Sequence, residues 1–400
     1  MPPGESTSPQ YASDLERTYV EEEFLAASGG RFFNASRFPE ATAEAVFGDP
    51  LTWASIQIEK LHCALVPSGP LGKLYVEIAE DPSINACVVS RPSFSVISFN
   101  AGLCVRLRQL FLCVVSDESI FERREFEREL DFVAFVPDGA YRDDLVRPAD
   151  IRVRRGTEGD SDYADWLGPI PPTKERYFLA ERLATAAIDF LAMHEFSHVV
   201  RNHGVLLGEQ CRHCFFEAPR VVQMAASSGL GRDDERTNQL LEVDADQWAS
   251  HLSMLKFTSG EHSVSYWGKW ATTRPDSLKL WLFAVTMMWM LLDGWDENLD
   301  RGGTHPHPAP RLLAMLLGLD AQINADHDGV CGMDLYDACV QTARLSRRAW
   351  CNLGLSVDRL YSFLDMNQVS AIANRLIDGR DEQFGVALEK QHLWRVRRPG

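Results

Sequence analysis

The chain lacks a basic excess. Of 400 residues, 40 are Lys or Arg and 57 are Asp or Glu, a formal net charge of -17. A nucleic-acid binder normally shows a basic face, so no nucleic-acid partner is expected. A bilayer-length apolar run is missing too. Leu280–Leu292 is apolar throughout except for Thr286, but it spans about thirteen residues against the roughly twenty that cross a membrane. Lys279 and Asp293 close it on either side, which predicts a buried core helix and no membrane span. Met1-Pro2-Pro3-Gly4-Glu5-Ser6 has no basic region leading into an apolar one, so no secretory leader is expected. The nine cysteines, an odd number, form no spaced framework. Reduced, mostly buried thiols and a cytoplasmic location are expected. Cys211-Arg212-His213-Cys214 is one C-x-x-C without a second pair at finger spacing, which leaves open a structural metal or a loop with two thiols. No internal repeat is visible.

What is present is an ordinary soluble composition, 45% hydrophobic and 24% charged. The length suits one large domain or two or three smaller ones. The pattern divides into a 1–70 N-terminal helical region, a 71–320 central domain and a 321–400 C-terminal helical extension. Residues 1–20 are polar and expected to be poorly ordered, with helical stretches around Tyr19–Ala27 and Pro39–Phe47. Lys73–Ala79 reads as a strand. Ile84–Val89 and Phe94–Phe99, separated by Ser90-Arg91-Pro92-Ser93, suggest a hairpin. Alternation fails at adjacent Val96 and Ile97. Leu103–Val115 follows as a helix. An insertion at about 116–175 holds a charged helical run, Glu118–Leu130, and a strand candidate, Phe132–Val136. It ends in a loop, 139–172, rich in Asp, Arg, Gly and Pro, which is either a lid or a solvated connection.

Thr173, after Pro171-Pro172, is a natural N-cap for a long helix. Leu179, Leu183, Ala186, Ala187, Phe190, Leu191, His194 and His198 recur at three- and four-residue steps, and Gly204 is a natural stop. The helix carries His194-Glu195-Phe196-Ser197-His198, an H-E-x-x-H. Two histidines four apart share one helical face and can bind one Zn²⁺, and the glutamate beside the first can act as general base. A catalytic zinc takes three protein ligands and keeps one open position. Asp233–Phe257 reads as a helix with acids in its first turn, and the best third ligand, Glu242, lies on it. Asp246, four residues on, could accept the free N–H of a ligating histidine. Ala245 and Ala249 would permit close packing. Spacing alone leaves Glu242 and Asp246 equally compatible with a solvated acidic face.

Four ordered segments carry a family resemblance. HEFSHVVRNHG resembles the zinc helix of the gluzincin metallopeptidases of the HtpX and CAAX prenyl protease type. Glu242-Val243-Asp244-Ala245-Asp246 resembles their E-x-E-A-D, with Asp244 in place of the middle glutamate. Thr304-His305-Pro306 followed by Arg311 resembles their T-H-P-x-x-x-x-R. Asn85-Ala86, Phe94–Phe99 and Asn100-Ala101-Gly102-Leu103 resemble their edge-strand stretch. The resemblance implies an α+β, helix-dominated, minigluzincin-like zincin core with a small sheet and helical additions. It implies His194, His198 and Glu242 as zinc ligands and Glu195 as base. Asp246 would support a ligand, His305 would stabilise the oxyanion, and Arg311 would hold that loop or the carboxylates. Strand 94–99 would be a sheet edge on which a protein or peptide substrate adds as a further strand. The reaction would be hydrolysis of a peptide bond by zinc-activated water. Without a membrane span, the chain is also similar, at the level of analogy, to the Lit-type phage-exclusion peptidases, which cut a host translation factor. The rival is a zincin-like binding or regulatory module with an idle site. His203 is expected to pack as a structural polar residue, His307 to be exposed, and His251 to pack or cap within its helix.

Overall fold

A computed structural model describes residues 13–28, 30–32, 58, 61, 72–81, 85–91, 93–122, 171, 173–201, 203, 214–216, 232–258, 266–292, 306–326, 332–353 and 366–390. Helices dominate, with one small mixed sheet, so the class is α+β. The strands are β1 (Lys73–Ala79), β2 (Ala86–Arg91), β3 (Phe94–Asn100) and β4 (Cys214–Phe216). The helices are α1 (Asp14–Ser28), α2 (Ala101–Ser116), α3 (Lys174–Val200), α4 (Arg232–Thr258), α5 (Arg274–Leu292), α6 (Pro308–Asp326), α7 (Gly332–Asn352) and α8 (Met366–Lys390).

The sheet order is β1-β3-β2-β4. β3 pairs parallel with β1, Lys73 opposite Phe94, and antiparallel with β2, Ala86 opposite Phe99. The expected hairpin is therefore present, but the edge-strand reading of 94–99 is corrected: β3 is interior. Adjacent Val96 and Ile97 show why. Val96 faces a cluster with Val20, Phe24, Phe32 and Phe94, beneath α1. Ile97 and Phe99 face the main core with Val88, Leu107 and Phe190. A strand covered on both faces needs apolar residues at both parities, and every residue of β3 is buried.

α1 covers one face of the sheet. Its Glu16 accepts from Tyr75 Oη at 2.8 Å and pairs with Lys73, and Glu23 accepts from Arg91 Nε at 2.9 Å. The expectation of poor order over 1–20 fails from Asp14 onward. Burial of Val20 and Phe24 supplies the stabilisation that the polar composition conceals.

On the other face, α2 and α3 both pack against the sheet and against each other, and α2 is buried at nearly every position. Arg108 ties α2 to α3, donating to Glu181 at 2.6 Å and Tyr177 Oη at 2.5 Å. Thr173 caps α3 by accepting from Arg176 N. The buried Arg176 guanidinium donates to Val115 O (2.6 Å) at the end of α2 and to Phe121 O (2.5 Å) just beyond the turn that follows. α2 gives way there to a turn, with Asp117 accepting from Ser119 N at 2.8 Å, so the helical reading of Glu118–Leu130 fails over its first residues.

The apolar stretch 280–292 is the core helix expected of it. Trp281 donates to Ser253 Oγ of α4 at 2.9 Å, and α5 packs against α3, α4 and α7. No described helix is long and apolar enough to cross a membrane. α8 packs on α4 and α6, where Leu240, Val243 and Ala314 meet Val369, Ile372 and Leu376. The helix at 39–47, the strand at 132–136 and the loop from 139 to 170 lie outside the described residues.

An interior β3 has every amide bonded to one neighbour or the other. Hydrogen exchange should therefore show consecutive amides over 95–99 protected to the level of global unfolding, with β4 far faster. Fast exchange at every second β3 amide, the signature of an edge, would overturn this placement.

Candidate metal centre

The centre lies where α3 crosses α4. His194 and His198 share a face of α3 and bring their Nε2 atoms to 3.0 Å. α4 presents Glu242, with Oε2 3.3 Å from His194 Nε2 and Oε1 3.5 Å from His198 Nε2. Ala245 and Ala249, both fully buried, are the small residues that the close approach was expected to use. The three donors are buried and their ligand atoms lie within 4.8 Å of one another, a group that could hold a metal ion. The two Glu242 distances run to different carboxylate oxygens, so the carboxylate faces both Nε2 atoms, one oxygen toward each.

Charge supports the same fit. Glu195, Glu242, Asp244 and Asp246 are four carboxylates at 3% exposure or less, set against the guanidiniums of Arg201 and Arg311. Buried carboxylates need compensation, and a cation held by His194, His198 and Glu242 would add to what the two guanidiniums supply.

Each histidine has an outer partner on its other nitrogen. His194 Nδ1 lies 2.9 Å from Asp246 Oδ1. Asp246 is gripped by Arg311 of α6 through Nε–Oδ2 at 2.7 Å and Nη2–Oδ1 at 2.8 Å. The same Nη2 is 3.1 Å from Glu242 Oε2, and the guanidinium lies 4.1 Å from the centre of the Trp289 ring. On the other side His198 Nδ1 is 2.9 Å from His203 Nδ1. His203 Nε2 is 3.0 Å from Asp244 Oδ2. Asp244 is held by Arg201 through Nε at 2.8 Å and Nη2 at 3.0 Å, and Arg201 rests 4.9 Å over Trp248. Burial alone would raise the Asp244 pKa, yet the bonds from His203 and Arg201 outweigh it and hold the carboxyl far below the usual range. Burial leads the other way at His203 and lowers its pKa despite the bond to Asp244.

His194, Glu195, His198, Glu242, Asp246 and Arg311 thus converge on one buried cluster. Thr304 and His305 lie outside the described residues, as does Cys211, while Cys214 opens β4. His307 is corrected: it is 1% exposed, and its Nδ1 accepts from Ala309 N at 3.1 Å. It caps α6 ahead of Pro308, the first-turn position proline favours. His251 is half-buried on α4. His203 is buried, as expected of a packing residue, but its bond to His198 was not foreseen. Nor was the pairing of Asp244 with Arg201, or the two tryptophan platforms. The one available signal was the run Arg201-Asn202-His203 just past the ligand, where α3 ends at Val200 and the chain can turn back.

Among sequence families, the model of Peptidase U49, a Lit-type peptidase family, matches residues 141–331. The matched region takes in every site residue from His194 to Arg311 and supports assignment to a peptidase family. No curated protein and no solved structure matches the chain.

Arg311→Met keeps an apolar stem over Trp289 but leaves Asp246 and Glu242 side by side without their shared cation. Urea unfolding with a chelator present should show a loss of about 3–5 kcal/mol. A change below about 1 kcal/mol would mean that the guanidinium does not carry this charge balance.

Proposed function

We propose that the chain is a zinc-dependent endopeptidase acting on a protein substrate. One observation carries the reading: three buried donors, two of them from H-E-x-x-H, bring their ligand atoms within 4.8 Å of one another, as a shared metal ion requires. His194, His198 and Glu242 would hold the ion. Zinc bound there supplies Lewis-acid polarisation of a carbonyl and lowers the pKa of a water molecule. Glu195, buried beside His194 on α3, takes the proton of the attacking water and passes it to the amide nitrogen as the C–N bond breaks. His305 would donate to the oxyanion. Asp246 sets the orientation of His194, and Arg311 fixes Asp246.

An extended substrate needs a strand edge, and β3 has none to offer. β4 ends the sheet order, and its outer side carries no partner strand among the described residues. The outer side of β1 carries a bridge from Phe32 to Ala79. Substrate docking is accordingly placed along β4, next to β2, the strand that packs most closely on the zinc helix. The net charge of -17 argues against nucleic acid as partner. Cys87, Cys104, Cys113, Cys339 and Cys351 form no disulfide, which is compatible with a cytoplasmic setting.

The purified protein should hold about one tightly bound zinc per chain. Glu195→Gln should keep the metal and lose proteolysis by roughly a hundredfold or more. Mapping of new protein termini in cells expressing wild type and Glu195→Gln gives the substrate. Absence of zinc from both proteins, or the same new termini with both, would reject the reading, and the second result would favour an idle binding module.

A further inference from the structure

We propose that His203 is the positioning residue for His198, acting through Asp244 and Arg201 as a second outer arm of the centre. The inference rests on the zinc reading above. It begins from proton placement. A neutral imidazole that binds metal through Nε2 carries its proton on Nδ1. His198 Nδ1 faces His203 Nδ1 at 2.9 Å, and only one of two facing nitrogens can carry the shared proton. His198 therefore donates, and His203 Nδ1 accepts. With Nδ1 accepting, the ring proton of His203 sits on Nε2 and points at Asp244 Oδ2, 3.0 Å away. Asp244 can only accept, and it receives two further bonds from Arg201. Donors and acceptors match at every step, with a single arrangement from Arg201 to His198.

Burial separates this role from packing. His203, Arg201 and Asp244 are 0%, 4% and 3% exposed. Apolar residues could fill such a volume without desolvating an ion pair. What they could not do is fix the ring plane and tautomer of His198. The two arms are also unequal. The His194 arm places a carboxylate directly on the imidazole, whereas the His198 arm inserts a second ring between imidazole and carboxylate. Asp244, the residue that departs from the middle glutamate of the related motif, is the anchor of the longer arm.

The test uses the full chain. Zinc affinity is measured by competition with a chromophoric chelator for wild type, His203→Phe, His203→Gln and Asp244→Asn. The cobalt-substituted proteins give visible spectra. His203→Phe keeps the ring volume but makes no bond, and should weaken zinc by about 10–100-fold and shift the cobalt bands. His203→Gln, which can both accept and donate, should recover most of the affinity. Independently of any variant, histidine ¹⁵N spectra of the zinc-loaded wild type should show His203 protonated on Nε2 and His198 on Nδ1. Tight zinc in wild type with unchanged affinity in folded His203→Phe, or a proton on His203 Nδ1, overturns the proposal. Absence of zinc binding by wild type would instead defeat the zinc reading itself.

Discussion

The cost of burying charge governs this structure. Four carboxylates lie out of water where α3 crosses α4, and each would be prohibitive alone. Arg311 and Arg201 make the arrangement tolerable, each gripping one aspartate with two bonds and resting on a tryptophan. Much of the surrounding architecture serves to bring those two cations in. α6 delivers Arg311, and α5 brings Trp289 beneath it. The C-terminal end of α3 delivers Arg201, and α4 supplies Trp248. The helices that build the core are therefore the ones that balance the site, and α8, packed on α4 and α6, braces the carriers of both acids and Arg311.

The centre can be viewed as two histidines, each read from both sides. On the inner side are Glu242 and the other histidine. On the outer side are Asp246 for His194 and His203 for His198. Rings with a neighbour at each nitrogen have little freedom to turn. Such preorganisation fixes donor positions during folding, so that a metal ion would find them already oriented.

Much of this was legible in the sequence because helical periodicity projects directly into space. The i, i+4 steps of His194–His198 and Glu242–Asp246, the Thr173 cap and the thirteen-residue core run each depend on local geometry. The failures are tertiary. The edge reading of 94–99 comes with the family resemblance, whereas the residues themselves, with Val96 and Ile97 both apolar, fit a strand paired on both sides and covered on both faces. His203 escaped because its bond to His198 follows a helix end, where spacing carries no angular information. His307 was expected at the surface since a Pro-rich segment reads as loop, whereas it caps α6 from inside.

The reach of Arg311 across the chain has a consequence for how the molecule assembles. Its aspartate partner lies 65 residues upstream, on another helix. A loop of that length must close before the ion pair returns any energy. Until α6 docks, closing α3 onto α4 would bury acids without their cation. The half-built centre is thus a state of high free energy, and the three helices are driven to lock together in one cooperative step. The same coupling acts in reverse: α6 cannot peel away while the acids stay dry, so opening the centre means breaking up much of the core.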